Sequence, residues 1–452
     1  MSSGALVQLS AVGQINEYAT ICPEVTFFKG FYKRHTNFSR VPIENQFCSS
    51  IGFGKKLIST VQRTGDLVTQ VYLVLKLSAL NMTTAVGGGP LQIRDLNGNL
   101  INIPVDANGV PTSSFATWTN EVGHAAIDYV SCIIGGQVMD QHSGLYLGVW
   151  ESLSYHAGKR QGSMVGFFTS VPDLLNFSMK DETLYVPMMF WFNRCTEQAL
   201  PLIALQYHET KFEYKLRTRA ELITYYGLFS TEVMTAGGGN PANALFNQTQ
   251  VTGGDLTDAY LLINYVYLDT MERRVFATNA HEYFIDQLQM VDESKPAGAT
   301  QRAIPLYFNH ICKELIFVLQ RNALIDDNKW FDFSGVVVGS SPQVGDPTAD
   351  PLTSAKIQLN SHDLFSEKDA LYFRKVVPYE THSDIPDYFV YVFSFALDPE
   401  NWKPTGGCNL SRIDNVILKL QYQDFDGVIR IYCRSVNLLK VISGMAGIKY
   451  AN

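Results

Sequence analysis

Residues 415–435 read NVILKLQYQDFDGVIRIYCRS and contain two stretches, 415–422 and 428–435, in which the residues of one face are apolar. A period of two is typical of β-strands with one buried face. Asp426-Gly427 lies between the stretches, and such a dipeptide favours a tight turn because glycine accepts a positive φ angle. The segment therefore predicts two strands joined as a hairpin.

Short strands dominate the rest of the chain. Strand-like segments lie at 68–77, 100–105, 127–134, 184–192, 208–216, 259–268, 312–320 and 388–397, and Asn97-Gly98 and Asn108-Gly109 mark turns. Many short strands separated by Gly and Asn turns favour antiparallel β-sandwiches over a parallel α/β sheet. Two short helices are also predicted as packing elements: 143–154, with Ser143 as its N-cap, and 366–375, with Ser366 and Asp369 as a capping box.

A loose internal repeat indicates two similar sandwiches in tandem. Segments 186–216 and 389–422 each contain an aromatic strand, a polar stretch and an alternating strand. We predict an amino-terminal arm at 1–24, a first sandwich at 25–218 and a second at 219–452. Three loops look accessible: 85–90, 232–254 and 335–351. The loop 232–254 is either an interdomain linker or a strand connection inside the second domain.

Composition and charge exclude several classes of protein. Only 17% of the residues are charged, against about 25% in ordinary globular proteins, while 12% are aromatic. The net charge is −8, although residues 1–76 carry a net charge of +4. No dense basic patch indicates nucleic-acid binding. We find no apolar run of membrane-spanning length, no signal-peptide pattern and no CxxC pair among the seven cysteines, so reduced thiols in the cytosol are expected.

No motif supports catalysis, a metal or a cofactor. The nine histidines form neither HExxH nor HxH, and Gly52-Phe53-Gly54-Lys55-Lys56 departs from the phosphate-loop pattern. The acidic turns that begin at Asp95 and Asp424 lack the terminal Glu of a calcium loop. Without a signal peptide, chance occurrence is the better interpretation of five candidate glycosylation sequons, at Asn37, Asn81, Asn176, Asn247 and Asn409.

Blocks spread over the whole chain closely resemble the major capsid proteins of nucleocytoplasmic large DNA viruses, and they follow that family's order. These blocks are GALVQLSAVGQINEY (4–18), TFFKGFYKRHTNFS (26–39), SIGFGKKLISTVQRTGDLVTQVYL (50–73), LYVPMMFWFNRCTEQALPLIALQYHETKFEYKL (184–216), FSEKDALYFRKVVPYETH (365–382), GGCNLSRIDN (406–415) and NLLKVISGMAGIKYAN (437–452).

The resemblance implies an all-β double jelly roll: two tandem eight-stranded antiparallel sandwiches with short helices in loops. It also implies a non-enzymatic homotrimer whose pseudo-hexagonal capsomers tile the icosahedral shell of a large double-stranded DNA virus. Expected partners are neighbouring capsomers, minor capsid and penton proteins and an internal membrane, with no direct nucleic-acid contact. Assembly in the host cytoplasm and a place in the outer capsid of the virion follow.

Three further expectations concern surfaces. The charge split suggests that Lys29, Lys33 and Arg34 contact an inner layer or minor capsid proteins. The low charge content predicts trimer-facing surfaces that are apolar and aromatic. Two other classes of protein compete with a capsid protein: a jelly-roll enzyme or metal protein, and a carbohydrate-binding jelly roll that presents aromatic rings at its loop tips. The candidate rings are Trp118, Trp191, Trp330 and Trp402.

Overall fold

The computed structural model describes residues 3–24, 27, 30, 32–82, 115–156, 158–226, 251–295, 298–334, 350–386, 389–423 and 426–450. The chain forms two compact units, Met1–Phe38 and Ser39–Asn452. The first unit contains the helices Ser3–Ser10 and Gln14–Thr20, and both are exposed throughout. Several sequence predictions lie outside the described residues: loop 85–90, most of loops 232–254 and 335–351, strand 100–105 and the two Asn-Gly turns.

The second unit begins with a sandwich of two antiparallel sheets. One sheet has the order β1-β13-β3-β8, with β9 beside β3, and the other has the order β2-β10-β6-β7. The strands are β1 (Phe38–Gln46), β2 (Lys56–Thr60), β3 (Leu67–Leu77), β4 (Leu80–Met82), β5 (Phe115–Trp118), β6 (Ile127–Ile134), β7 (Gln137–Ser143), β8 (Glu182–Pro187), β9 (Leu200–Pro201), β10 (Thr210–Leu216), β11 (Ile223–Tyr226), β12 (Val251–Gly253) and β13 (Leu256–Leu268). Strands β4 and β12 form one small ribbon, and β5 and β11 form another.

A second sandwich follows and is built in the same way. Its sheets have the orders β14-β23-β16-β20 and β15-β22-β17-β18, with short strands added at their margins. The strands are β14 (His281–Lys295), β15 (Gln301–Pro305), β16 (Ile311–Arg321), β17 (Leu352–Leu359), β18 (His362–Asp363), β19 (Lys368–Asp369), β20 (Val390–Ser394), β21 (Cys408–Asn409), β22 (Val416–Tyr422), β23 (Gly427–Ile442) and β24 (Met445–Ile448).

Both sandwiches have jelly-roll topology. When the eight main strands of each are counted in chain order, one sheet reads 1-8-3-6 and the other reads 2-7-4-5. The predicted pair of eight-stranded antiparallel jelly rolls is therefore confirmed. The internal repeat has the same origin, because β8 and β20 are the sixth strands of the two sandwiches and β10 and β22 are the seventh.

The predicted hairpin at 415–435 is wrong, although both of its strands exist. Strand β22 pairs with β15 and β17, whereas β23 pairs with β14 and β16 in the opposite sheet. The chain crosses from one sheet to the other near Asp426, whose carbonyl accepts a hydrogen bond from the backbone of Asn322 at 3.0 Å. Alternation reveals that each strand has a buried face, but it does not reveal which sheet supplies the neighbour.

The pairing of β13 also moves the predicted domain boundary. This strand lies between β1 and β3, with ten residue pairs to β3, so it completes the first jelly roll beyond residue 218. The predicted boundary at 218/219 is too early because β13, the eighth main strand, follows a long loop. Despite that separation in sequence, β13 lies beside β1, the first strand of the same sandwich. We therefore propose a boundary between Leu268 and His281.

Short helices connect the strands, as expected for loops in a jelly roll. They are Val122–Ala125, Gly144–Ser154, Val171–Ser178, Trp191–Arg194, Thr270–Thr278, Asn322–Asp326 and Val377–Thr381. Ser143 caps Gly144–Ser154 as predicted, because its Oγ accepts a hydrogen bond from the backbone N–H of Tyr146 at 3.2 Å. Short 3₁₀ turns lie at Gly162–Met164, Thr196–Gln198, Leu202–Ala204, Arg219–Leu222 and Leu410–Arg412.

Two local predictions need correction. The helix predicted at 366–375 begins only at Ala370, because Lys368–Asp369 pairs with β17 instead of entering a capping box. It continues through a π-helical turn at Tyr372–Val376. The strand predicted at 184–192 ends at Pro187, and Trp191–Arg194 is helical. None of the helices in the described part of the chain combines the length and the hydrophobicity of a membrane-spanning segment.

Strand β16 and the middle of strand β23 are buried on both faces. In β16 the residues from Cys312 to Gln320 are all buried, and in β23 the run Ile431–Ser435 is buried without a break. A sandwich strand normally shows one face to the solvent. The second face of β23 contacts the first jelly roll through Tyr432 and Arg434. On β16, by contrast, Glu314 contacts His382 and Gln320 contacts Trp330. This region contains the main cluster of buried charges.

Candidate functional site

The candidate functional site is the junction between the two jelly rolls, and Arg434 lies at its centre. In β23, alternate residues point to opposite faces. Tyr432 and Arg434 point toward the first jelly roll: the ring centroids of Tyr432 and Tyr146 lie 5.4 Å apart, and the Arg434 guanidinium lies 3.8 Å from the centroid of the Trp150 ring. The side chain of Arg434 is only 1% exposed. The junction therefore places a positive charge where water does not reach it.

Two carboxylates from the neighbouring strands hold this guanidinium. Its Nη1 donates to Glu314 Oε1 on β16 at 2.6 Å, and its Nη2 donates to Asp286 Oδ2 on β14 at 2.8 Å. The planar fork of arginine suits two acceptors that lie side by side. Three adjacent strands of one sheet are therefore fixed by a single side chain. The neighbouring carboxylates raise the pKa of Arg434, although burial opposes this shift.

Asp286 connects this cluster to the first jelly roll. Besides Arg434, it accepts from Arg194 Nη1 at 2.9 Å and from Lys313 Nζ at 2.8 Å. Arg194 belongs to the helix Trp191–Arg194 of the first sandwich. Burial alone would raise the pKa of Asp286, but the three cations outweigh burial and lower it. For Lys313 burial is the largest influence, and it lowers the pKa of the ammonium group.

Glu314 is the most strongly perturbed acid of the junction. Its second oxygen, Oε2, lies 2.9 Å from His382 Nε2, and both side chains are fully buried. Burial would raise the pKa of Glu314, but Arg434 and His382 reverse the effect and lower it to about 2. The other ring nitrogen of His382 lies 2.9 Å from the Thr381 hydroxyl, which itself donates to the Val377 carbonyl. Since that hydroxyl has only one proton, it accepts a hydrogen bond from the Nδ1–H of His382.

The helix Gly144–Ser154 brings the aromatic side of the junction into place. Tyr146 and Trp150 lie one turn apart on this helix, and Trp150 also lies 4.9 Å from the Arg194 guanidinium. The start of this helix packs against the backbone of His124 and Ile127, and this packing requires glycine at position 144. A Cβ atom there would lie 2.1 Å from the His124 carbonyl oxygen and 2.2 Å from that of Ile127. Any larger residue would clash with these carbonyls and shift the start of the helix.

A second group of contacts joins the jelly rolls near residue 330. The Asn328 side chain donates to the carbonyls of Ala220 at 2.8 Å and Ile223 at 2.7 Å. Trp330 Nε1 donates to the Glu221 carbonyl at 2.8 Å, and the Arg217 guanidinium lies 4.1 Å from a Trp330 ring centroid. Polar groups and a large ring therefore hold the two halves in one orientation.

The junction is a mechanical site, because the charged ends of its side chains are directed at one another. The carboxylates of Asp286 and Glu314 are occupied by arginine, lysine and histidine. Within the part of the chain that the structure describes, no group of three or more His, Cys, Asp or Glu side chains is arranged to hold a metal ion.

The structure brings none of the predicted site residues into this junction except Trp330. Lys33, Arg34 and Asn37 are exposed in the unit Met1–Phe38, whereas Lys29 and Asn247 lie outside the described residues. Asn81 and Asn409 are exposed. Asn176 is half-buried, and Ser178 of its sequon is fully buried, with its hydroxyl donating to the Leu174 carbonyl at 2.7 Å.

The four tryptophans proposed as carbohydrate-binding rings are mostly inaccessible. Trp118, Trp191 and Trp330 are 1%, 2% and 8% exposed, and Trp402 is half-buried. Three of the four rings therefore belong to the core or to the junction, which removes the main support for a carbohydrate-binding jelly roll.

Sequence analysis missed the junction itself, although one signal was present. Lys313 and Glu314 interrupt an apolar strand, and Arg434 occupies the middle of another. Charged residues in such positions are buried only when they are paired. The pattern indicates that partners exist but not which residues they are, because the partners lie up to 148 residues away.

Comparison with known proteins agrees with this architecture. A family model described as "Major capsid protein N-terminus" matches residues 26–269, and one described as "Large eukaryotic DNA virus major capsid protein" matches residues 272–447. The gap between these matches falls within the boundary region proposed above. The chain is 33% identical to the major capsid protein of Pyramimonas orientalis virus, covering 99% of this chain and 100% of that protein.

Solved structures of capsid proteins share the fold of this chain. PBCV-1 VP54 is 27% identical and superposes with a TM-score of 0.72, covering 94% of this chain and 100% of that one. The Faustovirus major capsid protein shares the fold at a TM-score of 0.65 with 10% identity, covering 97% of this chain and 96% of that one.

Two jelly rolls in one chain, fixed to each other by a buried junction, define a double jelly-roll protein, which is the fold of the capsid proteins compared above. The chain belongs to the major capsid protein family of large eukaryotic DNA viruses. Membership makes it a structural protein of the virion capsid rather than an enzyme, as the sequence predicts.

The first prediction concerns Arg434→Met. Removal of the guanidinium leaves Glu314 and Asp286 buried with fewer partners, so we expect the free energy of unfolding to fall by about 3–5 kcal/mol. Urea denaturation at pH 7 measures it. The matched control is Lys440→Met, six residues away on β23, which forms an exposed pair with Glu282; the two side chains are 41% and 47% exposed. This change should cost at most about 1 kcal/mol. Equal losses in the two variants would contradict the central role of Arg434.

The second prediction concerns pH. The folded pKa of Glu314 is about 2 and its ordinary value is 4.5. Since the folded pKa is the lower one, its stabilisation is complete above pH 4.5 and is lost as the pH falls toward 2. We expect a loss on the order of 3 kcal/mol over this interval.

The measurement is urea denaturation at a series of pH values for the wild-type protein, Glu314→Gln and the control Glu282→Gln. Glu282 forms an exposed pair with Lys440 and is 47% exposed. Glu314→Gln should flatten the acid limb of the stability curve, and the control should keep it. An unchanged acid limb in Glu314→Gln would show that Glu314 does not carry the effect.

Proposed function

We propose that this chain is the main building block of an icosahedral capsid and that it assembles as a homotrimer. The six jelly rolls of such a trimer form a pseudo-hexagonal capsomer. The observation that carries the proposal is the repeated strand order of the two sandwiches in a chain of the major capsid protein family. A rigid junction supports it, because two jelly rolls can imitate neighbouring subunits of a hexagon only if their mutual orientation is fixed.

Open sheet edges supply surfaces for such an assembly. Strands β1 and β14 are the first strands of the two jelly rolls, and within the described residues each pairs with another strand on one side only. The first jelly roll covers part of the β14 edge, because Gln198 donates to the Phe284 carbonyl and Asp140 accepts from the Leu288 N–H. Strand β14 is 15 residues long. Long unpaired edges invite pairing or coverage by another chain. Sister chains in a trimer are the cover that we propose.

Exposed apolar side chains are candidates for the trimer interface that we propose. Tyr307 is 82% exposed, Leu397 is 83% exposed and Phe284, on β14, is 50% exposed. Large apolar groups on a surface indicate an interaction site when they lie together. The low charge content of the chain is therefore best explained by surface that becomes buried on assembly.

The proposal for the larger capsid assembly rests on the family to which the chain belongs and not on a particular contact in the structure. We propose that the capsomers tile a shell above an internal membrane, beside minor capsid and penton proteins, and that the shell forms in the host cytoplasm. Direct contact with nucleic acid is not expected, because the net charge is −8 and no dense basic arm occurs in the sequence. Lys29, Lys33 and Arg34 are proposed to contact the inner layer.

The third prediction is that the purified full-length chain is a trimer. Light scattering after size-exclusion chromatography should give three times the mass of one chain, and electron microscopy should show hexagonal capsomers. Phe284→Asp places a charge at the edge strand and should lower the trimer fraction. Thr257→Asp, at a hydroxyl exposed on β13, is the matched control. A wild-type protein that stays monomeric at all concentrations tested would overturn the proposed trimer.

The fourth prediction concerns the basic residues of the amino-terminal unit. Reversal of charge at Lys29, Lys33 and Arg34 should weaken flotation of purified capsomers with phosphatidylserine-containing vesicles at low salt, because the anionic surface would then repel the segment. Reversal at Lys159, Lys180 and Lys449 is the control, since these exposed lysines lie elsewhere in the chain. Equal flotation of both triple variants and the wild type would contradict an inner-layer contact.

A further inference from the structure

Three cysteines lie in a row across three neighbouring strands of the second jelly roll. Cys312 is on β16, Cys433 is on β23 and Cys408 is on β21. Strand β16 pairs with both others, and Cys408 lies directly opposite Cys312 in the antiparallel register. Directly opposed residues in such a pair bring their side chains within about 5 Å. The sheet therefore places the middle thiol between two others.

Two of these thiols already touch. Cys433 Sγ lies 2.9 Å from Cys312 Sγ and donates to it, and Cys312 Sγ donates in turn to the Glu314 carbonyl at 3.2 Å. Both side chains are 0% exposed and belong to the apolar core. Cys408 is half-buried at the margin of the same core. The row thus runs from the interior of the sandwich toward its surface.

This row is separate from the ionic junction. Cys433 and Arg434 are consecutive in β23 and point to opposite faces, so the thiols lie inside the sandwich while the guanidinium faces the first jelly roll. A link between Cys312 and Cys433 would nevertheless join the two strands that carry Glu314 and Arg434. The link would close a loop of 121 residues in sequence.

We propose that Cys312 and Cys433 are an oxidative modification site, which forms an intrachain disulfide when the protein meets a low-molecular-weight disulfide oxidant, with Cys408 as the thiol through which oxidation enters. The link locks β16 to β23 after the particle leaves a reducing compartment. Cross-links that close long loops stabilise mainly by restricting the unfolded chain.

The reaction balances as a series of thiol–disulfide exchanges. The Cys408 thiolate attacks the oxidant, forms a mixed disulfide and releases one small thiol. The Cys312 thiolate then attacks the Cys408 sulfur and releases the second small thiol. Finally the Cys433 thiolate attacks Cys312 and frees Cys408. The protein loses two thiol protons and two electrons in total, and one molecule of oxidant is reduced to two thiols.

Burial explains why oxidation needs an entry point. It raises the pKa of the Cys312 thiol well above its ordinary value, and it raises the pKa of Cys408 as well. The thiolate is the attacking form, so direct reaction of Cys312 with an oxidant in solution is slow. Cys408 is the least buried of the three and the only one that a small disulfide can reach from the margin of the core.

The test treats the purified wild-type protein with oxidised glutathione at pH 8, then unfolds it in urea with N-ethylmaleimide present to block free thiols, and maps unreduced peptides by mass spectrometry. We expect a cross-linked peptide pair that contains Cys312 and Cys433, while Cys408 is recovered alkylated. The exposed thiols of Cys22 and Cys48 should become glutathionylated, which shows that the oxidant is active. The oxidised protein should unfold at a higher urea concentration than the reduced protein.

Variants separate the roles of the thiols. Cys408→Ser should slow formation of the link at least tenfold without changing its identity, and Cys433→Ala should abolish the Cys312–Cys433 peptide pair and the gain in stability. Cys195→Ser, at another half-buried cysteine, should change neither the rate at which the link forms nor the gain in stability. Recovery of Cys312 and Cys433 as alkylated thiols in wild-type protein whose Cys22 and Cys48 are fully modified would overturn the proposal. A normal rate in Cys408→Ser would overturn the role of Cys408.

Discussion

The buried guanidinium of Arg434 is the constraint on which the second jelly roll depends. Its charge is kept from water and must be balanced by Glu314 on one neighbouring strand and by Asp286 on the other. In a strand with a period of two, a slip of one residue would turn Arg434 into the apolar interior of the sandwich. The ion pairs therefore fix the register of β14, β23 and β16 more strictly than apolar packing would, since one aliphatic side chain replaces another at little cost.

The same side chains also fix the first jelly roll against the second. Arg194 shares Asp286 with Arg434, and the ring of Trp150 lies against both guanidinium groups. Buried ion pairs contribute little net stability, because desolvation consumes most of the attraction between their charges. Their contribution here is to orientation: few arrangements of the two jelly rolls satisfy every charge. A lattice that reuses one interface many times needs that precision more than it needs extra stability.

The sequence predicted the elements of the fold better than their connections. Strands such as β6 and β10 were evident because alternation is local, and the helix Gly144–Ser154 was evident from its apolar face and from the cap at Ser143. Pairing was not evident: β22 and β23 look like a hairpin, and β13 looks like the start of a new domain. Both errors have one cause, since the neighbours of a jelly-roll strand are distant in the chain.

The amino-acid composition predicts how many charged residues the chain has, but not whether they lie in the junction or on the surface. A charge content of 17% suggested that much of the surface is apolar, yet Lys313, Glu314 and Arg434 belong to the interior. Buried charges lower still further the charge left for the surface, so the surface is more apolar than composition alone indicates. Exposed groups such as Tyr307 and Leu397 are the visible result. This chain places scarce charges between its own halves, and in the proposed trimer sister chains cover the apolar surface that remains.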